Sequence, residues 1–565
     1  MTPSRSAIRL AATLLSLAGA ACQDTVKPVS TEGGLSQVTI TYVCGNKFEL
    51  RSHSPSEQLL HYIVLGTPET GDVLVPASSE SDPGFFQLTT LAPGDLQVSS
   101  GAELAPPAEN GGVACPPSVP SESRADLGEW TAPFPWPVVA VHLHLLPDGR
   151  VLSWGRIGQP QVYDPAEGTF REAPTPTMVF CSGHTFLSDG RLLVSGGHLD
   201  DLRGLADVNI FDPVASTWSP VSAMRYARWY PTTTTLADGS VISLAGTDER
   251  GDTVEVPEIW SAGSWRSLEG GRRVLPYYPR TFVAPNGLLF YAGELQQSAY
   301  LDPAGQGRWI PVATSRYGRR DYGSALMYAA GKVMIVGGSD PPDGLPTNSA
   351  ELIDLNQPQP AWQYTEPMRY SRRQLNATLL PDGQVLVTGG TSAPGFSDPS
   401  GAVHAAELWN PSTEHWTLLA SNQIGRVYHS SSLLLPDGRI LHAGSGDGPG
   451  LPRELSAEIF SPPYLFHGRR PLVQSAPRVA GYGQQFLITT PDAGNVVRTT
   501  LVRLGSVTHA FDQSQRFLEL SFRRVAGGLS VAAPANGAKA PPGPYLLTVL
   551  NDAGVPSISS IILIH

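Results

Sequence analysis

Charge is scarce in this chain. Only 16% of its 565 residues are charged, and 38 Lys and Arg against 50 Asp and Glu leave a net charge of −12. A nucleic-acid partner calls for a basic face, so this balance argues against one. Long apolar runs are missing as well, since no stretch after residue 22 is apolar enough to span a membrane. Cysteine is rare, with four in all, so each can be assigned by itself. What abounds is glycine and proline, 58 and 52 residues, beside 41% hydrophobic residues. That mixture describes a turn-rich all-β protein with ample core, and the length is too great for one ordinary domain.

Residues 1–22 read as an export signal, with Arg5 and Arg9 ahead of the apolar run LAATLLSLAGAA and then Cys22. Cleavage before Cys22, read as a lipobox, leaves a lipid-anchored envelope protein, and cleavage after Ala20 a free secreted one. The anchor is slightly favoured because a cysteine placed there needs a reason, although Gly19 stands where leucine is usual. An exported chain meets oxidising conditions. With Cys22 in the signal and Cys181 in a site described below, Cys44 and Cys115 are expected to form a disulfide. They bracket the strand-like pieces VTITYV, LLHYIVLG and GFFQLTTL, so residues 37–116 are read as an N-terminal β-sandwich, equally a spacer or a carbohydrate-binding module. PPSVPSESR after Cys115 is the linker.

From Val138 to His442 a hydrophobic strand, a tight turn and a second hydrophobic strand recur seven times. The turns are Asp148-Gly149, Asp189-Gly190, Asp238-Gly239, Asn286-Gly287, Ala330-Gly331, Asp382-Gly383 and Asp437-Gly438. Six carry the Asp-Gly or Asn-Gly pair that suits a two-residue hairpin with positive φ. Glycine pairs such as Gly196-Gly197, Gly337-Gly338 and Gly389-Gly390 follow, and outer strands end near Trp218, Trp265, Trp362 and Trp416. A period of roughly 40 to 55 residues with these marks predicts a seven-bladed kelch-like β-propeller over residues 126–466.

Eight residues before the first turn residue of each repeat stands the head of an inner strand. These positions are Ala140, Cys181, Tyr230, Tyr278, Tyr322, Gln374 and His429, with Tyr428 one residue further out. Equivalent positions in a propeller surround one end of its channel, so a thiol, phenols and an imidazole should converge there. Packing alone asks for nothing of the kind. Phenol and imidazole together suit Cu(II), which favours a square or pyramidal N,O set. Adjacent residues of a regular strand face opposite ways, so Tyr428 and His429 can share a metal only where the strand begins irregularly.

Four motifs, FCSGH around Cys181, RWYPTTTTLADG around Tyr230, RVYHSSSLLLPDG around Tyr428 and His429, and LGSVTHAFDQSQR around His509, carry a resemblance. The chain resembles the galactose oxidase and glyoxal oxidase family of copper radical oxidases from about Val138 to its C-terminus. The resemblance implies one copper ion bound by Tyr230, Tyr428, His429 and His509, and a Cys181–Tyr230 thioether forming a radical cofactor. It also implies that Tyr428 takes the substrate's proton, that Tyr230 accepts hydrogen from carbon, and that residues 467–565, an Ig-like β-sandwich, reach into the channel with His509. Dioxygen would then leave as hydrogen peroxide.

Departures from the galactose-oxidising type bear on substrate. That type stacks a tryptophan over the thioether where this chain has Asp248, and has an aromatic at Gln374. The expected rim therefore lacks an aromatic platform, with Tyr278, Tyr322, Gln374, Asp248 and Arg280 as candidate substrate wall, Arg280 being equally a solvated arginine. An exported, monomeric oxidase of small aldehydes or primary alcohols is expected, nearer glyoxal oxidase than galactose oxidase. A non-catalytic propeller for glycan binding or adhesion, and a copper site without the thioether, stay open. Of the other histidines, His142, His144, His184, His198 and His442, most are read as structural and His184 as a neighbour of the site.

Overall fold

The computed structural model describes residues 38–44, 46–78, 84–90, 92–101, 103–110, 124–448 and 451–565. The export signal, Cys22, Cys115 and the Cys44 side chain lie outside them, so the expected disulfide does too. The chain divides into two units, residues 1–121 and 122–565. Among the described residues no helix is long and apolar enough to cross a membrane.

In the first unit the three strand-like pieces form Val38–Cys44, Gln58–Val64 and Gly84–Thr89. Sheets of three and four strands share a core of Phe48, Leu50, Leu60, Val64, Val73, Val75, Leu96 and Val98.

In the second unit seven antiparallel sheets succeed one another along the chain. Their inner strands are His142–Leu145, Gly183–Phe186, Thr232–Thr235, Arg280–Val283, Ser324–Ala329, Asn376–Leu379 and Ser430–Leu434. From the second to the seventh each lies beside the next, and the seventh lies beside the first. Glu129–Trp130, from the start of the unit, pairs with Ser456–Ser461 and so completes the last sheet. Residues of these strands are buried on both faces, which is why they read as unbroken apolar or small-polar runs.

The hairpin turns correct one expectation. Only their glycines have positive φ, 75° to 88°; the preceding Asp, Asn or Ala do not. In six of them the loop has three residues, as in Leu146 N to Arg150 O at 2.8 Å around Pro147-Asp148-Gly149. In four of the six, proline (Pro147, Pro285, Pro381, Pro436) presets the first turn residue, glycine takes the left-handed one, and the Asp or Asn side-chain oxygen accepts the amide that follows the glycine, as from Arg150 N at 3.1 Å.

Four sheets contain a buried arginine–glutamate pair. Arg228, Arg320, Arg372 and Arg426 reach Glu258, Glu351, Glu407 and Glu458 at 2.9, 2.7, 2.6 and 3.1 Å, all with side chains no more than 4% exposed. Each guanidinium also donates to a carbonyl of its own sheet, Ala245, Gly337, Gly389 and Gly444 respectively. Each carboxylate also accepts backbone amides just ahead of the arginine, such as Arg369 and Tyr370 for Glu407.

Residues 470–565 form sheets of five and three strands around a core that includes Ile488, Leu501, Leu529, Tyr545, Leu547 and Ile562. From there a hairpin, Ser506–Thr508 and Phe511–Asp512, leaves to pair with His142–Leu145. It runs among the inner strands: Gln513 accepts the amides of His184 and Thr233 at 3.2 and 3.0 Å.

Removing one partner of a buried ion pair strands the other charge, at about 3–5 kcal/mol. Arg372→Met is expected to lower unfolding free energy by that order in a urea titration, and adding Glu407→Leu to recover part of it. A loss under about 1 kcal/mol would show that the pair does not hold the sheet.

Candidate metal centre and its rim

The head-of-strand positions share a backbone conformation. Cys181, Tyr230, Tyr278, Tyr322, Gln374 and His429 have φ of 62°, 63°, 45°, 51°, 59° and 66°, where non-glycine residues are rare. Ala140 does not share it. Hydrogen bonds link several of these positions across sheets: Tyr230 N to Cys181 O, Tyr278 N to Tyr230 O and Gln374 N to Tyr322 O, at 2.9, 3.0 and 2.8 Å.

Tyr428, Tyr230, His429 and His509 meet in this belt, each no more than 5% exposed. The Tyr230 and Tyr428 hydroxyls are 2.7 Å apart, and His509 Nε2 is 2.8 Å from Tyr230 Oη. His429 lies beside them, its ring 3.8 Å from that of Tyr428 and 4.7 Å from that of His509. Its Nδ1 donates to Gly446 O at 2.6 Å, which leaves Nε2 as a buried lone pair without a partner. The strand Ser430–Leu434 begins only after this pair, so left-handed φ at His429 is what lets adjacent side chains share one space. His509 and Ala510, at φ 46° and 65°, are the two central residues of the inserted hairpin.

Cys181 is a buried free thiol against the Tyr230 phenol. Burial pushes it and the phenols of Tyr230 and Tyr428 upward, so without a cation all three stay protonated. Burial likewise lowers His429 to about 3 and holds His509 well below its usual range.

The rim differs from expectation. Aromatic cover is present, because Trp229 stacks on Tyr230 with ring centres 3.6 Å apart and planes 7° from parallel. Phe396, 41% exposed, packs on Tyr428 at 4.6 Å. Asp248 is not a wall residue: it is buried and turned into its own loop, accepting Arg250 N and Asp252 N at 2.8 and 3.0 Å. Gln374 donates to Phe396 O at 2.6 Å and so steadies that aromatic rather than facing a substrate alone. Arg280 is not solvated. It is 3% exposed and donates to Tyr278 O and Gly323 O at 2.5 and 2.7 Å. Tyr278, Tyr322 and Arg280 line a cavity of about 180 Å³ that also touches His509, Tyr277 and Glu294.

Comparison with known proteins follows the same two parts of the chain. The Glyoxal oxidase N-terminus family matches residues 345–464, and the galactose oxidase-like Early set domain matches 470–564. Both segments make the chain similar to the galactose oxidase and glyoxal oxidase family. A galactose oxidase of Gibberella zeae is 29% identical over 486 residues, covering 77% of this chain and 70% of that protein. An aldehyde oxidase of Vitis pseudoreticulata is 28% identical over 475 residues, covering 74% and 88%. A solved fungal alcohol oxidase in complex with copper superposes with a TM-score of 0.72 at 25% identity, covering 78% of this chain and all of that one. Within this galactose oxidase and glyoxal oxidase relative, the first matched segment carries Gln374, Phe396, Tyr428 and His429, and the second carries His509.

Six buried histidines give the metal-free protein a pH signature. Burial lowers His142, His144, His184, His429, His442 and His509, of which His184, His429 and His442 fall to about 3. Between such values and the ordinary 6.5 the unfolded chain binds more protons, so stability is complete above 6.5 and lost as pH falls towards 3. Glu294 and Asp512, raised by burial to about 7 and 6, and Asp382 and Asp447, also raised by burial, act in the opposite sense, but they are four against six. Calorimetry of metal-free protein should find Tm climbing between about pH 4 and pH 6.5. A falling Tm over that interval would contradict the neutral state of these rings.

Proposed function

We propose that this chain is an exported copper radical oxidase that oxidises small aldehydes or primary alcohols with dioxygen and releases hydrogen peroxide, closer to glyoxal oxidase in substrate than to galactose oxidase. The seven sheets are then the blades of one kelch-like propeller over residues 126–466, and residues 467–565 an Ig-like domain that supplies one ligand. Residues 1–22 direct export, to a lipid anchor on Cys22 if cleavage falls before it and to a free secreted form if cleavage follows Ala20, and Cys44 and Cys115 close the N-terminal sandwich.

The observation that carries this reading is the convergence of two phenols and two imidazoles in a dry space, with His429 Nε2 lacking any partner. Tyr230, Tyr428, His429 and His509 would hold Cu(II), which favours such an N,O set. Copper bound there supplies one of the two oxidising equivalents the reaction consumes. The other must sit on the protein. Tyr230 suits that role, because Cys181 lies against it for a thioether and Trp229 covers its face. Tyr428 Oη takes the proton of the substrate hydroxyl, and Tyr230 Oη accepts the hydrogen from carbon. An aldehyde enters as its hydrate, which supplies the same hydroxyl. The cavity beside His509 is small and lined by charged and hydroxyl groups, which favours a small polar substrate over a pyranose.

Peroxide release from copper-loaded, oxidatively activated protein, followed by a coupled peroxidase across glyoxal, methylglyoxal, glycolaldehyde, glycerol and galactose, tests this. Glyoxal-type compounds should turn over fastest. Tyr428→Phe should keep copper yet lose about 10²- to 10⁴-fold in turnover, the usual worth of a positioned proton acceptor. Preference for galactose overturns the substrate reading, and silence on every substrate with copper bound favours a binding module.

A further inference from the structure

His142 and His184 are buried beside the candidate centre and have no part in the chemistry above. Their hydrogen bonds run in one direction. The Cys181 amide can only donate, and it meets His142 Nε2 at 3.2 Å. A neutral His142 therefore carries its proton on Nδ1, which faces His184 Nε2 at 3.0 Å. His184 in turn carries its proton on Nδ1 and donates to Ser506 Oγ at 2.6 Å. The serine hydroxyl is left to donate to His144 Nδ1 at 3.0 Å, so the chain ends at His144 Nε2, which has no partner. All four residues are fully buried, and Trp154 stacks on His142 and His144 at 4.9 and 4.4 Å. His142 also pairs in the ladder with Thr508, whose hydroxyl is 2.6 Å from His509 Nδ1. One residue thus joins the Cys181 turn, through its side chain, to the hairpin that carries His509, through its backbone.

We propose that His142, its tautomer fixed through His184 and Ser506, is the positioning residue that holds Cys181 against Tyr230 for thioether formation. The proposal rests on the copper radical oxidase reading for the bond it serves. In that bond the Cys181 S–H and a Tyr230 ring C–H are broken and S–C is formed, while two electrons and two protons pass to dioxygen to give hydrogen peroxide. Without the acceptor at His142, the Cys181 amide is buried and unpaired, and its left-handed turn loses the contact that fixes it.

Two measurements on the same variants test this. Hydrogen exchange at the Cys181 amide in copper-free protein reads the bond itself, and peptide mass after timed aerobic copper(II) loading reads the loss of two hydrogens. His142→Leu should speed exchange and slow cross-linking at least tenfold, with copper content unchanged. His142→Gln, whose amide oxygen can accept, should restore most of both, and Ser506→Ala should show a smaller slowing. Should His142→Leu not fold, the glutamine and Ser506→Ala variants carry the comparison. Cross-linking at the wild-type rate in His142→Leu, or in Ser506→Ala if that is the variant that folds, overturns the proposal, as does slow cross-linking without faster Cys181 exchange. A wild-type protein that binds copper in air and never cross-links would overturn the cofactor reading, and amide exchange would still decide whether His142 holds Cys181.

Discussion

A guanidinium sealed from water at the base of an inner strand is the constraint on which the site turns. Stranding such a charge costs several kcal/mol, so Arg228, Arg320, Arg372 and Arg426 fix the path of the backbone around them. The arginine carbonyls are taken up as firmly as the side chains: Gly197, Gly338 and Gly390 of preceding sheets donate to Arg228, Arg372 and Arg426 O. A Cβ on Gly196 or Gly389 would stand 2.4 or 2.7 Å from those carbonyls, which explains the glycine pairs of the repeat. With both ends of the segment held, a residue two or three places on (Tyr230, Tyr322, Gln374 and His429) adopts a left-handed φ that costs an ordinary residue about 1–2 kcal/mol. That step brings the head-of-strand residues together as a belt.

The seventh sheet departs from this spacing. Arginine and left-handed residue are two apart in Arg228–Tyr230, Arg320–Tyr322 and Arg372–Gln374, but three apart in Arg426–His429. The added residue is Tyr428. One insertion into an otherwise rigid frame therefore gives the site its second phenol while His429 keeps the ring position, and the two rings stack at 3.8 Å.

Much of this was legible in the sequence, and the limits have physical causes. Hairpin glycines and apolar strands recur at a fixed distance, so counting from the turns reached six of the left-handed positions. Asp-Gly marks both a two-residue turn and a turn of three, so the dipeptide alone does not set the turn geometry. Two positive φ values also meet at His509-Ala510, a turn without glycine, where hydrogen bonds to the surrounding strands hold it, Ser324 Oγ donating to Ala510 O at 2.6 Å. Strand parity sets Trp229 opposite Tyr230, whereas the irregular backbone brings the two rings face to face. Phe396 sits in a loop without periodicity, anchored by Arg373 and Gln374 through its carbonyl. Asp248 stands where the galactose-oxidising type has its tryptophan, which suggests a wall residue, whereas its carboxylate closes its own loop.

The dryness that makes the site selective also makes it incomplete without a cation. Tyr230 and Tyr428 share one hydrogen bond across 2.7 Å, and burial disfavours ionising either. A divalent ion inverts that preference, since its charge stabilises the phenolates that the apolar surroundings penalise. Binding must then expel protons, and affinity must rise with pH as long as the phenols remain the ligands. The imidazoles bear on this differently: burial already keeps His429 and His509 neutral, so they offer lone pairs without competition from protons. The same burial thus readies the two histidines before the ion arrives and leaves the two tyrosines to respond to it, a division of labour that would be lost if water reached the belt.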